Sequence, residues 1–227
     1  MTESRLIPWT QTHTVTFFGP DDPITFVPGD LLLFATDGII AKSIRAGQWL
    51  DAHLWDRYAL NGAGERVRLA DYTWANHAAI GRAARDTDVT ADGTSVAPGS
   101  RIVSQMSPNL GRAGHEYVPA AGYVHKLCAV VHFDMTDNDR QYLLDADDAC
   151  AFLAYGFAQY PALVLGGLTG QRVSLVLGAA MICSTEVAHC AANLCLRLDR
   201  GEAAVMPQHL AALVDAKPPA HLLARGK

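Results

Sequence analysis

The sequence has no cluster of lysine and arginine residues and no apolar run long enough to span a membrane as a helix. Its 227 residues carry a net charge of −5, whereas nucleic-acid-binding proteins usually present a basic face to the phosphates. The longest apolar run, residues 173–183, is about half of the ~20 residues that a membrane-spanning helix needs. We therefore expect a protein that neither binds nucleic acid nor contains a transmembrane segment.

A secretory signal and a regular set of cysteines are also missing. Residues 1–9 contain no basic segment followed by an apolar one, which predicts no signal peptide and a cytoplasmic location. The five cysteines are unevenly spaced and include no Cys-x-x-Cys pair, so a disulfide framework is not expected in a chain of this size. We expect a reducing environment in which most of these thiols are buried.

The composition is that of a globular protein, with 50% hydrophobic and 18% charged residues. The length predicts one compact domain, with an irregular leader over 1–27, a core over 28–212 and a tail over 213–227. Periodicity and turn residues predict strands and helices in alternation. The expected strands are 14–18, 31–35, 72–83, 101–106 and 124–133, and the expected helices are 39–50, 136–160, 183–198 and a short one from 206.

The most informative stretch is residues 181–188, where an apolar run ends at Cys183 and an amphipathic helix begins. A thiol in the first turn of a helix lies among unpaired backbone N–H groups and in the positive field of the helix dipole. That setting lowers a thiol pKa and favours the nucleophilic thiolate. The same N–H groups are able to stabilise an oxyanion. The sequence therefore points to Cys183 as a nucleophile.

A cysteine nucleophile needs a nearby base, and the base needs a polar group that orients its ring. Among the nine histidines, His77 stands out because it lies at the polar rim of an apolar strand. Gln105 lies in the next predicted strand, across a polar connection, and is expected to reach the ring of His77. His115, predicted to lie in a loop after Gly114, is the alternative to Gln105.

Three segments carry a family resemblance. Pro-Gly-Asp-Leu-Leu-Leu-Phe at 28–34, Asn-His-Ala-Ala-Ile at 76–80 and Ile-Cys-Ser-Thr-Glu-Val-Ala at 182–188 resemble, in this order, the circularly permuted NlpC/P60 superfamily of papain-like enzymes. The resemblance covers roughly residues 28–212. It implies an α+β fold with a small, mainly antiparallel sheet packed against helices. It also implies Cys183 as nucleophile, His77 as base and Gln105 as third catalytic residue, with no metal ion or organic cofactor.

The implied activity is thiol-dependent hydrolysis or acyl transfer through a thioester, on a small-molecule, peptide-amide or lipid-acyl substrate. Two positions depart from the family pattern: Gln105 replaces the more frequent Glu or His, and Asn76 replaces the more usual serine. These departures motivate an alternative, a non-catalytic binding module on a papain-like scaffold. A third hypothesis is a metal-binding His/Cys protein, although strand alternation does not bring His125, Cys128 and His132 together.

The remaining cysteines and Glu186 receive structural interpretations. Cysteine is among the most buried residue types, and Cys190 is too far along the helix from Cys183 to share a metal ion with it. Glu186 is expected to support the positive end of its helix. The cysteines expected in the core are Cys128, Cys150, Cys190 and Cys195.

Overall fold

The described part of the chain is an α+β structure with a mainly antiparallel sheet. It is a computed structural model that describes residues 13–54, 58–90, 92–108, 114–151, 153–156, 165, 169, 182–190 and 205–225. The strands are β1 (His13–Phe18), β2 (Leu31–Ala35), β3 (Tyr58–Leu60), β4 (Arg66–Arg68), β5 (His77–Ala83), β6 (Arg101–Ser107), β7 (Gly114–Pro119) and β8 (Leu127–Phe133). The larger sheet has the order β1-β8-β2-β5-β6-β7, and β3 and β4 form a separate hairpin.

Five α-helices accompany the sheet within the described ranges. They are α1 (Ile39–Leu54), α2 (Asp137–Ala149), α3 (Cys183–Cys190), α4 (Pro207–Leu213) and α5 (Ala220–Arg225). Thr136 begins α2 as an N-cap, because its side chain accepts a hydrogen bond from the Asp139 backbone N–H. Among the residues the structure describes, no helix is both long and apolar enough to cross a membrane.

The sheet buries a different core on each face. Leu31 and Leu33 of β2 face the helices and join a cluster that includes Val187 of α3. Leu32 and Phe34 point the other way, as strand alternation requires, and pack in a second cluster. We call these the helix side and the far side of the sheet.

The turn before β2 connects β2 to β5. Gly29 has a φ of +89°, a conformation that glycine adopts without steric cost, and its N–H donates to the Gly81 carbonyl at 2.8 Å. The Asp30 side chain is buried and accepts a hydrogen bond from the Val27 N–H at 2.9 Å. The Pro-Gly-Asp segment thus fixes the strand that leads towards His77.

Several predicted elements are confirmed, and others need correction. The strand at Leu31–Ala35 has the predicted bounds. The strand expected over 72–83 begins only at His77, because Leu69–Tyr72 forms a 3₁₀ turn. The helix expected to reach residue 160 ends at Ala149, since the chain turns at Cys150 and then pairs Ala154 with Gly114.

The strand expected at 14–18 within the leader is confirmed as β1, which pairs along β8. The tail and the region of His115 differ from expectation, since the expected tail contains α5 with Leu222 buried. His115 lies in β7 rather than in a loop. The predicted segments 157–164, 173–181 and 191–198 lie outside the described residues, and so does Cys195.

Candidate functional site

The strands β5 and β6 separate at the end of the sheet where His77 lies. Their paired residues run from Ile80–Ser104 to Ala83–Arg101, and the pairing does not extend to the first three residues of β5. A backbone N–H that loses its strand partner needs another acceptor. The Ala78 N–H donates a hydrogen bond to the sulfur of Cys183. This hydrogen bond attaches the Cys183 thiol to the residue that directly follows His77.

Aromatic side chains fix the ring of His77, and the preceding residue fixes its backbone. Its ring is half-buried and stacks at centroid distances of 6.1 Å on Phe34 and 6.5 Å on Tyr123. The preceding residue, Asn76, is fully buried and exchanges hydrogen bonds with Thr36, accepting from its N–H at 2.7 Å and donating to its carbonyl at 2.9 Å. Asn76 therefore fixes the start of β5 to the end of β2.

The Gln105 amide connects three polar side chains on the far side of the sheet. Its Oε1 contacts His77 Nε2 and accepts a hydrogen bond from the Tyr123 hydroxyl. Its Nε2 donates to Glu116 Oε1 at 2.8 Å. An ionised carboxylate only accepts hydrogen bonds, so the amide nitrogen has to face Glu116 and the amide oxygen has to face His77. The His77 Nε2 then carries the proton, and its Nδ1 is left with the lone pair that a base needs.

The environment of His77 favours the neutral ring. Burial lowers the pKa of the His77 imidazole, and the opposing effects of the Gln105 hydrogen bond and the Glu116 charge only partly offset it. The imidazole is therefore neutral near pH 7 and able to accept a proton.

The thiol of Cys183 differs from the sequence-based prediction. The residue is 2% exposed and packs with Met106, Tyr155 and Ile182. Burial raises the pKa of Cys183 to about 12; hydrogen bonds from backbone N–H groups lower it, and the charge of Glu186 raises it further. The prediction of a lowered pKa was wrong because desolvation outweighs the field of the helix terminus. The resting group is a neutral thiol.

The thiol and the imidazole approach the opening from different faces of the sheet. Cys183 begins α3, on the helix side, and Ala78 belongs to the helix-side core. His77 and Gln105 alternate with these positions and share the far side with Ala79. The Ala78 backbone N–H, in the opening between β5 and β6, is the group that connects the strand of His77 to the Cys183 sulfur.

A pocket of about 780 Å³ lies beside His77 and Gln105. One of its walls is the start of α1, with Ile39, Ile40 and Ile44. Cys183 is not one of the described residues that line the pocket. Tyr155 lines the pocket and also belongs to the apolar cluster around the Cys183 thiol.

His115 and Glu186 belong to a second polar cluster and not to the surroundings of His77. His115 Nε2 lies 2.8 Å from Ser104 Oγ on the helix side of the sheet. Glu186 is fully buried, with Oε1 at 3.6 Å from the same nitrogen. The structure therefore brings Gln105, and not His115, to the ring of His77. Glu186 faces a buried histidine instead of only supporting the helix terminus.

The other assignments follow the burial pattern. Cys128, Cys150 and Cys190 are buried thiols, as predicted. His125 pairs with Asp21, while His132 contacts Asp30. These two histidines thus have separate partners, in agreement with the prediction that they do not converge with Cys128.

Sequence reasoning missed two residues of the site, Glu116 and Tyr123. Glu116 lies opposite Gln105 in the β6–β7 pairing, and a strand assignment for Gly114–Pro119 would have placed it there. Tyr123 ends a 3₁₀ turn between β7 and β8, for which the sequence carries no comparable signal.

No family model matches the chain, and a comparison with curated proteins finds no match either. The assignment of function therefore depends on the geometry of the site.

Proposed function

We propose that this protein is a cysteine-dependent hydrolase or acyltransferase with a circularly permuted papain-like arrangement of the NlpC/P60 type. In this proposal Cys183 is the nucleophile, His77 the base and Gln105 the residue that orients the base. The observation that carries the proposal is the hydrogen bond from the Ala78 N–H to the Cys183 sulfur, directly beside a histidine whose Nε2 contacts Gln105. Nucleophilic catalysis commonly uses this arrangement, in which a base lies near the nucleophile and a third group orients the base.

The protonation states favour general-base catalysis from a neutral pair. His77 Nδ1 takes the proton of Cys183 as the sulfur attacks the carbonyl carbon of an amide or ester. The tetrahedral intermediate places its negative charge on the former carbonyl oxygen, which the Cys183 backbone N–H stabilises. Collapse breaks the bond to the leaving amine or alcohol, which receives the proton from Nδ1. Water or another acceptor then takes the acyl group from the thioester and regenerates the thiol.

The pocket favours an apolar acyl group. Ile39 at its rim is 85% exposed, and Ile40 and Ile44 line the same wall. An exposed apolar wall beside polar groups suits a ligand with an apolar body and one polar reacting centre. We therefore propose an amide or ester substrate, either a peptide or a lipid acyl compound, whose acyl portion packs against the start of α1.

Labelling with an acyl-reactive probe tests the assignment. We expect the wild-type protein to be labelled once, and Cys183→Ala to lose the label. His77→Ala is expected to label about 10²–10⁴-fold more slowly, the contribution typical of a general base. Cys128→Ala and His132→Ala serve as matched controls, because they remove a buried cysteine and a histidine away from the site. Equal labelling of His77→Ala and wild type, with the fold intact, would contradict the proposal.

A non-catalytic binding module is the second candidate, and the burial of the nucleophile favours it. Cys183 is 2% exposed, and burial raises its pKa to about 12. If the protein only binds its ligand, the wild-type chain is not acylated by the probe, and Cys183→Ala leaves ligand affinity unchanged. Acylation of Cys183 that depends on His77 excludes this candidate.

A further inference from the structure

A second buried polar cluster lies on the helix side of the sheet, away from the pocket. It joins three elements: His115 from β7, Asp147 from α2 and Glu186 from α3. Their side chains are 3%, 0% and 0% exposed. One nitrogen or oxygen from each residue lies within 4.8 Å of the other two. Three potential ligand atoms from distant parts of the chain thus converge in the interior.

The carboxylates of this cluster lack the hydrogen-bond donors that buried carboxylates normally have. Within the described ranges, no donor reaches either oxygen of Glu186 or Asp147 Oδ1 at good hydrogen-bond geometry, and the one donor close to Glu186 is the Met106 backbone N–H. The other Asp147 oxygen accepts from Arg82 at 2.7 Å. Leaving a buried carboxylate unpaired costs several kcal/mol. A positive group at the place that these three oxygens face would compensate the charge of both carboxylates.

The distances between the histidine nitrogen and the two carboxylate oxygens are too long for a shared proton and suit a shared metal ion. His115 Nε2 lies 3.6 Å from Glu186 Oε1 and 3.7 Å from Asp147 Oδ1. Both distances exceed a normal hydrogen bond, so a proton on any one of the three groups does not connect it to the others. Since no two of the three atoms are more than 4.8 Å apart, the point equidistant from them in their plane lies about 2.4 Å or less from each, and ligand nitrogens and oxygens lie ~2.0–2.2 Å from a zinc ion.

We propose that His115, Asp147 and Glu186 form a binding site for a divalent transition-metal ion of the zinc type. One imidazole and two carboxylates suit such an ion, whereas calcium prefers oxygen ligands at ~2.3–2.6 Å. Binding of the ion would replace the hydrogen bond between His115 Nε2 and Ser104 Oγ, which lie 2.8 Å apart. The site lies outside the catalytic proposal and does not depend on it.

The position of the site gives the ion a structural role. Glu186 lies one helical turn after Cys183 on α3, while His115 and Asp147 belong to β7 and α2. An ion bound to all three side chains connects the helix of the proposed nucleophile to the sheet and to a second helix. Because the ligands are buried, this is the closed kind of site that contributes folding free energy.

Zinc binding to the full-length, tag-free protein tests the proposal. After removal of metals with a chelator, we expect wild type to bind one equivalent of Zn²⁺, measured by competition with a chromophoric chelator. Glu186→Gln and His115→Gln are expected to weaken binding by at least ~100-fold, since the loss of even an outer-shell partner weakens metal binding 10–100-fold. His132→Gln is the matched control and should bind as wild type does, because its histidine pairs with Asp30 instead.

Two further measurements decide the matter if the variants do not fold. Wild type should gain roughly 5–10 °C in thermal midpoint at a free Zn²⁺ concentration of about 100 times the Kd. Substituted Co²⁺ should show d–d absorption without a sulfur-to-cobalt charge-transfer band. No binding and no thermal shift in wild type would overturn the proposal. Unchanged affinity in Glu186→Gln, or a thiolate band that points to Cys150 and Cys190, would do so equally.

Discussion

A single amide decides which nitrogen of His77 would act as the base in the proposed mechanism. Gln105 departs from the Glu or His expected at this position, and its neighbour explains the departure. A glutamate at 105 would place a second carboxylate against Glu116, whereas the glutamine amide donates to Glu116 and accepts from His77 at the same time. An amide is thus the side chain that satisfies both partners.

The pH dependence of acylation follows from the same residue. In the proposed mechanism the neutral form of His77 is the base. Burial lowers the pKa of its imidazole, so the neutral form persists to lower pH than for a free imidazole. We expect the rate of acylation of Cys183 to rise with pH, with a midpoint below ~6.5, and to be flat near neutrality. Stopped-time acylation between pH 4.5 and 9 measures this. A midpoint near the ~8.5 of a free thiol, unchanged in His77→Ala, would show ordinary thiol ionisation instead.

Residue-level reasoning from the sequence led to the proposal of Cys183, His77 and Gln105 but mispredicted the pKa of the thiol. The helix terminus is visible in the sequence, because an apolar run ends where an amphipathic pattern begins. The degree of burial is not, since it depends on Met106 and Tyr155 from other elements packing over the sulfur. Desolvation, the larger effect on the thiol pKa, therefore becomes apparent only in the folded structure.

At the level of elements, α2 and β5 are joined by a buried ion pair. Arg82 of β5 is 4% exposed and contacts Asp147 of α2 at 2.7 Å. Arg85, two residues after the strand, is 50% exposed and contacts Asp148 at 2.7 Å. Arg82 also contacts Asp148 at 2.5 Å, so the two arginines share this carboxylate and differ in that only the buried Arg82 pairs with the buried Asp147.

This difference predicts unequal effects on stability. Arg82→Met leaves a buried carboxylate without its partner and should lower the free energy of unfolding by about 3–5 kcal/mol. Arg85→Met removes an exposed pair and should cost about 1 kcal/mol or less. Urea unfolding at pH 7 in the presence of a chelator gives both values. Equal losses for the two variants would contradict the view that burial sets the contribution of these pairs.

Element bounds were predictable where local patterns decide them and not where tertiary contacts do. The apolar run of β2 is enclosed by turn residues, and its bounds agree with prediction. The end of α2 depends on the pairing of Ala154 with Gly114, a contact between distant segments. The same contact borders β7, whose polar residues His115 and Glu116 gave it the appearance of a loop.

For the whole molecule, the sequence predicted an α+β fold, and the structure confirms a mainly antiparallel sheet with helices. The order of the strands was not predicted, because β8 inserts between β1 and β2 through pairings that no local pattern records. The separation of β5 and β6, on which the proposed site depends, is a property of the assembled sheet. It leaves the Ala78 N–H, one residue after His77, free to donate to the helix-side thiol of Cys183.

The most direct test of the central claim is capture of the acyl-enzyme. The protein is incubated with a p-nitrophenyl ester of a short acyl chain and quenched in acid, and its peptides are sequenced by mass spectrometry. Fragmentation is required because tryptic peptide 173–197 also contains Cys190 and Cys195. We predict one acyl group, on Cys183, that neutral hydroxylamine removes and that does not form in His77→Ala. An acyl group on another residue alone, or none at all, would contradict the account.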